Sequence, residues 1–348
     1  MKGSYRGLYE FGSMFLGPIL SVYAREVAKQ AGDRLPVCLA REGWLFHKLL
    51  TELQREELIS LSKTPVYLKV SRTVLLKSLL GDSSSWPLAF ASEFEGSVLQ
   101  LLMRRFALQL HEAFSTLPQE LLHFNVKLPE QSDVLTECLA PYIEGLQALV
   151  EPTKQGLRSS LEQAGLSSPK HKPMMLDIGY SGTIQKLLTA HLQKDTFGLY
   201  FVSVNAGEQK VGQHTAEMRG VFRENVGWNE EYPLLDRSLL LESLMTAPHG
   251  QVIDVREETD GKLVYFYGRQ TAGQHQYQDL DVVFCGAIDE VKRLLREEIF
   301  YSIEEVESLY SVFSGTRGAI PRQIWHLFGI DDEFSGNGVM NPLELFGL

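Results

Sequence analysis

Three short apolar runs, each followed at once by a helical pattern, constrain this chain more than any other feature. Residues 35–40 read Leu-Pro-Val-Cys-Leu-Ala, residues 66–70 Val-Tyr-Leu-Lys-Val, and residues 174–177 Met-Met-Leu-Asp. Runs of this length between turn residues fit buried strands better than helices. After the first, Leu45, Leu49 and Leu53 share one helical face. After the second, Ser71 is a candidate N-cap for a helix carrying Val74, Leu75, Leu79 and Leu80. After the third, a helix runs through Leu192, and a fourth strand is expected at 197–204. Strand followed by helix, repeated, predicts an α/β architecture with a mostly parallel sheet and crossover helices.

The rest of the chain divides around that sheet. Residues 88–165 read as helical without a convincing strand, the clearest helices lying at 98–111 and 134–149. This gives four segments: 1–83 as the first part of the α/β core, 84–170 as a helical insertion, 171–250 as the second part of the core, and 251–348 as a C-terminal hairpin with helices. Residues 252–257 and 262–267 flank Thr259-Asp-Gly261, a turn that suits a β-hairpin. Helices are expected at 281–298 and near 303–313. Near the start, Leu16, Ile19, Leu20, Tyr23, Ala24, Val27 and Ala28 recur at helical spacing. Gly17-Pro18, Glu10 and Arg25-Glu26 argue against a secretory leader there, and no run of 18 apolar residues suggests a membrane span.

Composition narrows the function classes. The 348 residues carry 33 Lys+Arg and 44 Asp+Glu, a net charge of −11, which does not favour broad wrapping of nucleic acid. No nucleic-acid partner is expected. The three cysteines, Cys38, Cys138 and Cys285, form no C-x-x-C pair. A disulfide framework and a thiolate zinc site are therefore excluded, and a reducing, cytoplasmic compartment is the simplest expectation.

Ligands of open parallel sheets bind beyond the carboxyl ends of the strands. Three loops expected at such ends are chemically loaded. The loop at Asp177-Ile-Gly-Tyr-Ser-Gly-Thr183 starts with a carboxylate, frees the backbone at Gly179 and Gly182, adds the Ser181 and Thr183 hydroxyls, and opens into a helix. That is a recipe for phosphate at a helix N-terminus, or for an ordinary turn capped by Ser181. Arg41-Glu42-Gly43 and Ser71-Arg72 supply two arginines to the same edge, where guanidinium groups suit phosphate or pyrophosphate. Alone, either arginine reads as a surface or salt-bridge residue.

These three loops resemble the phosphoribosyltransferases of the common α/β type. The resemblance implies that the first turn cradles pyrophosphate and the later loop holds the 5-phosphate and ribose of phosphoribosyl pyrophosphate. Asp177 matches the second of that family's two adjacent acidic residues, and Ser181-Gly182 its Thr-Gly. Leu176 stands at the first acidic position, so an assisting Mg2+ is a weaker implication.

A wider resemblance covers most of the chain. Phe11-Gly-Ser-Met-Phe-Leu-Gly-Pro18, Leu39-Ala-Arg-Glu-Gly43, Lys69-Val-Ser-Arg72, Leu176-Asp-Ile-Gly-Tyr-Ser-Gly-Thr-Ile-Gln185 and Glu242-Ser-Leu-Met-Thr-Ala-Pro-His-Gly250 look like a bacterial polysaccharide-biosynthesis module. Such modules often adjoin a haloacid-dehalogenase-type phosphatase. The resemblance implies a phosphoribosyltransferase-like sheet with a large helical insertion and a C-terminal α+β extension. It also implies transfer of 5-phosphoribose to a lipid-linked glycan acceptor, with a fused or separate phosphatase as partner. Asp177, Glu242 and His249 are the candidates for catalysis, the last two for activating the acceptor hydroxyl.

Other readings are weighed on the same residues. A haloacid-dehalogenase phosphatase needs a strand ending D-x-D, but the first strand ends Ala40-Arg-Glu42 and the one D-x-D is Asp279-Leu-Asp281. A serine hydrolase fails because Gly179-Tyr-Ser181-Gly182 falls short of G-x-S-x-G. A non-catalytic module binding glycan or a partner protein stays open. Asp331-Asp332-Glu333 reads as a solvated acidic turn. Met103-Arg-Arg-Phe106 and Lys170-His-Lys172 are candidate contacts with acidic headgroups at the inner face of a membrane.

Overall fold

The computed structural model describes residues 4–332 and 338–348. Among them are β1 Leu35–Leu39, β2 Val66–Leu68, β3 Phe94–Ser97, β4 Asn125–Leu128, β5 Pro173–Asp177, β6 Thr196–Ser203, β7 Gly207–Val211, β8 His214–Glu224, β9 Val252–Glu257, β10 Leu263–Tyr267, β11 Ile330–Asp332 and β12 Gly338–Met340. Six strands form one sheet in the order β2-β1-β5-β6-β8-β7. All its pairings are parallel except the edge pair β7–β8. The four strands expected from sequence thus lie side by side. β7 and β8 were not anticipated. In β8 only Ala216, Met218 and Phe222 are buried, and Gly220-Val221 interrupts the alternation between them.

Alternate strand residues enter opposite cores. Cys38, Met174 and Leu176 pack with the helices Gly17–Ala31, Gly43–Arg55, Tyr277–Arg296 and Ile303–Gly315. Val37, Leu39 and Met175 pack with Arg72–Leu79, Val98–Phe106, Ile143–Gln163 and Thr183–Leu192. The sheet is therefore the middle of three layers.

The first helical stretch runs from Tyr5–Phe11 through a π-turn, Gly12–Leu16, into Gly17–Ala31. Pro18 has no N–H to give the preceding turn, and its ring crowds it; the wide π-turn sits where that strain falls. A Cβ on Gly12 would lie 1.9 Å from the Val283 carbonyl oxygen, and one on Gly286 would lie 2.0 Å from that of Tyr9. Here the Phe11–Pro18 motif is a device for bringing two helix backbones together.

The insertion is mostly helical and lies outside the main sheet, with one correction. β3 and β4 pair antiparallel within it. Both are four residues long, too short to show a period of two in sequence, and tertiary pairing stabilises them. The expected helix at 98–111 breaks at Ala107, which adopts φ 49°, and a new helix begins at Leu110. The one at 134–149 is instead Ser132–Leu139, a 3-10 turn containing Pro141, and a long helix Ile143–Gln163. The C-terminal hairpin forms as expected, β9 pairing antiparallel with β10. Its Val252 and Val255 join the core of the insertion helices.

Candidate functional site

Parallel pairing puts the ends of β1, β2 and β5 on one edge of the sheet, where a cleft of about 450 Å³ opens. Arg41, Glu42, Ser71, Arg72, Asp177, Gly179, Ser181, Gly182, Thr183 and Glu242 line it. Gly43 and His249, the other expected site residues, do not.

Each lining residue has a local cause. Ala40, at φ 56°, turns the chain sharply out of β1 and delivers Arg41 and Glu42 to the rim. Gly43 starts the following helix; a Cβ there would lie 2.4 Å from the Cys38 carbonyl carbon, so its role is close packing on β1. The Ser71 hydroxyl accepts from the Val74 N–H at 3.1 Å and donates to the Val252 carbonyl. It caps the helix bearing Arg72 and ties it to β9, which leaves it no proton for a ligand.

The loop after β5 departs from an ordinary capped turn. Its Gly179–Tyr180 peptide is cis. The N-cap is Gly182 rather than Ser181, at φ 66°, where a Cβ would meet the Met218 sulfur at 2.4 Å. Only glycine fits this position. No side chain caps the helix Thr183–Leu192, and Ser181 Oγ lies 3.1 Å from Thr183 Oγ1. First-turn N–H groups without a cap are donors for an anion. Gln185, from the same motif, is structural: its Nε2 donates to Thr196 and Glu217, and its Oε1 accepts from Tyr200.

Electrostatics set the protonation of the cleft. Burial, then the neighbouring Glu42 carboxylate, pushes the Asp177 carboxyl well above its ordinary range; Arg72 and the Ile178 N–H at 2.8 Å oppose this only in part. Glu242, on the helix Leu239–Leu244, is raised to about 7 by burial and by Glu42, against the pull of Arg41 and Arg72. Burial lowers the Arg72 pKa, with Asp332 and Glu242 acting the other way. Arg41 Nη2 lies 3.9 Å from Glu42 Oε1. The cleft therefore pairs two guanidinium groups with two carboxyls that bind protons readily.

His249 has a structural place. Its Nε2 shares a hydrogen bond with Tyr67 Oη at 2.9 Å, its Nδ1 lies 2.9 Å from the Gly250 carbonyl, and its ring stacks on Tyr267 with centroids 4.6 Å apart. It fastens β10 to β2 beside the cleft. The acidic turn is also corrected. Asp331 is buried and paired with Arg269 at 3.0 Å, and Asp331 and Asp332 both belong to β11 and line the cleft. Glu333 lies outside the described residues. Tyr180, from the Asp177–Thr183 loop, lines the cleft as well, as do Trp228, Asp236, Leu345 and Phe346, which no motif marked. The one available signal was Trp228, a lone tryptophan in a polar Asn-Val-Gly-Trp-Asn stretch.

Several other expectations resolve elsewhere. Asp279 pairs with His326 at 2.8 Å and Asp281 with Lys48, on a helix rather than at a strand end. Arg105 is buried, donating to the Ser92 carbonyl at 2.9 Å beneath the Phe94 ring, and Phe106 is buried too. These two face inward, while Met103 of the same motif is exposed. In Lys170-His-Lys172, His171 lies 2.9 Å from the Gly165 carbonyl and Lys172 pairs with Asp33 at 3.5 Å. Among the described residues no group of three or more His, Cys, Asp or Glu is arranged to hold a metal ion, so this donor set does not form a cage for Mg2+. No helix among them is long and apolar enough to cross a membrane.

Compared with known proteins, the chain matches no model of a known family, and no curated protein is significantly similar to it.

Proposed function

We propose that the cleft binds phosphoribosyl pyrophosphate and that the protein transfers 5-phosphoribose to a hydroxyl of a glycan. The observation that carries this reading is the convergence, on one strand-end rim, of Arg41, Arg72, an uncapped helix N-terminus and the proton-accepting Glu242. The guanidinium groups match a leaving pyrophosphate, and the helix N–H groups match a 5-phosphate. When protonated, which its raised pKa favours, the Asp177 carboxyl can donate to one ribose hydroxyl and accept from another.

The reaction follows from these placements. The acceptor oxygen attacks the anomeric carbon of the donor as the bond to pyrophosphate breaks, its electron pair leaving with the pyrophosphate. The acceptor proton passes to Glu242. Attack opposite the leaving group inverts the centre, giving a β-ribofuranoside 5-phosphate. Arg41 and Arg72 offset the charge that grows on the departing pyrophosphate. No step is routed through a metal.

A second reading is favoured by one feature. Carboxylates outnumber guanidinium groups along the cleft, which suits neutral sugar hydroxyls in a non-catalytic glycan-binding module. The test is calorimetry with phosphoribosyl pyrophosphate, followed by mass spectrometry for phosphopentose added to a panel of synthetic glycans. Binding lost in Arg41→Ala and Arg72→Ala, and kept better by Asp177→Asn than by Asp177→Ala, is the expected result. Silence at millimolar donor would favour the binding module.

A further inference from the structure

The order of strands sorts the rim of the cleft. Along β2-β1-β5-β6-β8 it presents Arg72 first, then Arg41, then the loop of Asp177, and last the segment that follows β8. That last segment carries Trp228, 53% exposed at the mouth of the cleft. Its ring meets Tyr180 edge to face, with centroids 5.4 Å apart. The Tyr180 hydroxyl is itself buried, and Tyr180, Ser238 and Glu242 line the same cleft. The tryptophan thus stands against the Tyr180 ring on the same cleft wall system as Glu242, on the segment that follows β8.

The segment holding Trp228 is fixed on both sides. Asn225, Asn229 and Glu231 all take positive φ. Asn225 Oδ1 accepts from the Ala206 N–H at 3.0 Å. Asp236 accepts from the N–H groups of Asn229 at 2.8 Å and Tyr232 at 3.1 Å. Three left-handed residues and three hydrogen bonds spent on presenting one half-exposed indole point to a binding wall.

We propose that Trp228 and Tyr180 form the stacking wall for the acceptor sugar. This rests on the proposed transferase reading and names its acceptor class. A pyranose offers an apolar C–H face to the indole and hydroxyl donors at its edge. Carboxyl groups of the same cleft, among them Asp236, Glu242 and Asp332, supply hydrogen-bond acceptors, which match hydroxyl donors. A nucleobase would stack on the same ring but needs both in-plane donors and acceptors. With the ring on Trp228, one hydroxyl reaches Glu242, which takes its proton as that oxygen bonds to the ribose carbon.

The test uses the full chain, octyl β-D-galactoside, octyl β-D-glucoside and octyl α-D-mannoside as acceptors, and adenine, hypoxanthine and uracil as the competing class. Trp228→Ala should raise the acceptor KM about tenfold, and Trp228→Phe should restore most of it. Donor affinity of both variants by calorimetry should stay within about twofold of the parent. Calorimetry with the glycosides alone reads the wall without the donor: the parent and Trp228→Phe should bind, and Trp228→Ala should not. If the parent binds a glycoside but not phosphoribosyl pyrophosphate, the transferase reading fails while the sugar wall stands. An unchanged acceptor KM in Trp228→Ala, transfer to a nucleobase, or no binding of any glycoside by the parent would overturn the wall.

Discussion

Glu242 shows how burial can fit a single side chain for proton transfer and weaken the fold at once. With its pKa near 7, the carboxyl can take a proton at neutral pH. Only the ionised form accepts it, so kcat/KM should fall as pH drops below about 7 and level off above. Glu242→Gln should lower transfer roughly 10²–10⁴-fold. The same shift has a stability consequence of definite sign. The folded protein holds this proton more tightly than the unfolded chain, whose glutamates titrate near ~4.3. The stability contributed by protonated Glu242 is therefore full below about 4.3 and is lost as pH rises through about 7. Glutamine escapes that loss. The melting temperature of Glu242→Gln relative to the parent should climb across this window and then plateau. Loss of activity without that climb would mean that Glu242 is not the buried, raised carboxyl described.

At the scale of elements, Gly286 offers the sharpest test. An alanine there would place its methyl carbon 2.0 Å from the Tyr9 carbonyl oxygen, so the first helix must move off the helix Tyr277–Arg296. Gly286→Ala should cost about 1–3 kcal/mol, seen as a lower urea midpoint at unchanged slope. Elements also mark what the sequence discloses. β1, β5 and β6 were legible because both faces of those strands are buried, so their letters are mostly apolar, while β2, half-buried at the edge, was legible from its β-branched and aromatic residues. β7 was hidden because none of its residues is buried, β8 because its alternation lapses at Gly220, and β3 and β4 because four residues hold too little pattern. The arginine and glycine loops of the cleft were legible for a topological reason: parallel strands must end on one rim. Trp228 and Asp332 reach that rim only through tertiary closure by segments far along the chain, which no local pattern encodes. His249 lies off the cleft lining because a Pro-His turn does not tell which side its ring will take, and here it stacks on Tyr267.

At the scale of the whole molecule, one buried ion pair links the sheet layer to the insertion. Lys77, on the helix that begins with Arg72, bonds Asp254 of β9 at 2.9 Å, and Thr153 of the insertion donates to the same carboxylate at 2.6 Å. Asp254→Asn would leave the Lys77 charge buried without its counter-ion and should cost about 3–5 kcal/mol at pH 7. These partners depress the Asp254 pKa. Its contribution is therefore present above the unfolded value near ~3.9 and lost as pH falls through the lower folded one. Denaturant titrations at neutral pH and at the acid end should show the gap between variant and parent closing. The cleft itself draws its walls from residues 40–42, 70–72, 177–184, 228, 236–242, 330–332 and 345–346. On a ribosome these arrive in sequence. The loops after β1, β2 and β5 are spelled out by residue 184, but the last wall comes with residue 346, roughly ten to thirty seconds later at ordinary elongation rates. Throughout that interval a nascent chain carries an unclosed cleft, so any ligand that needs all of its walls must wait for the last of them.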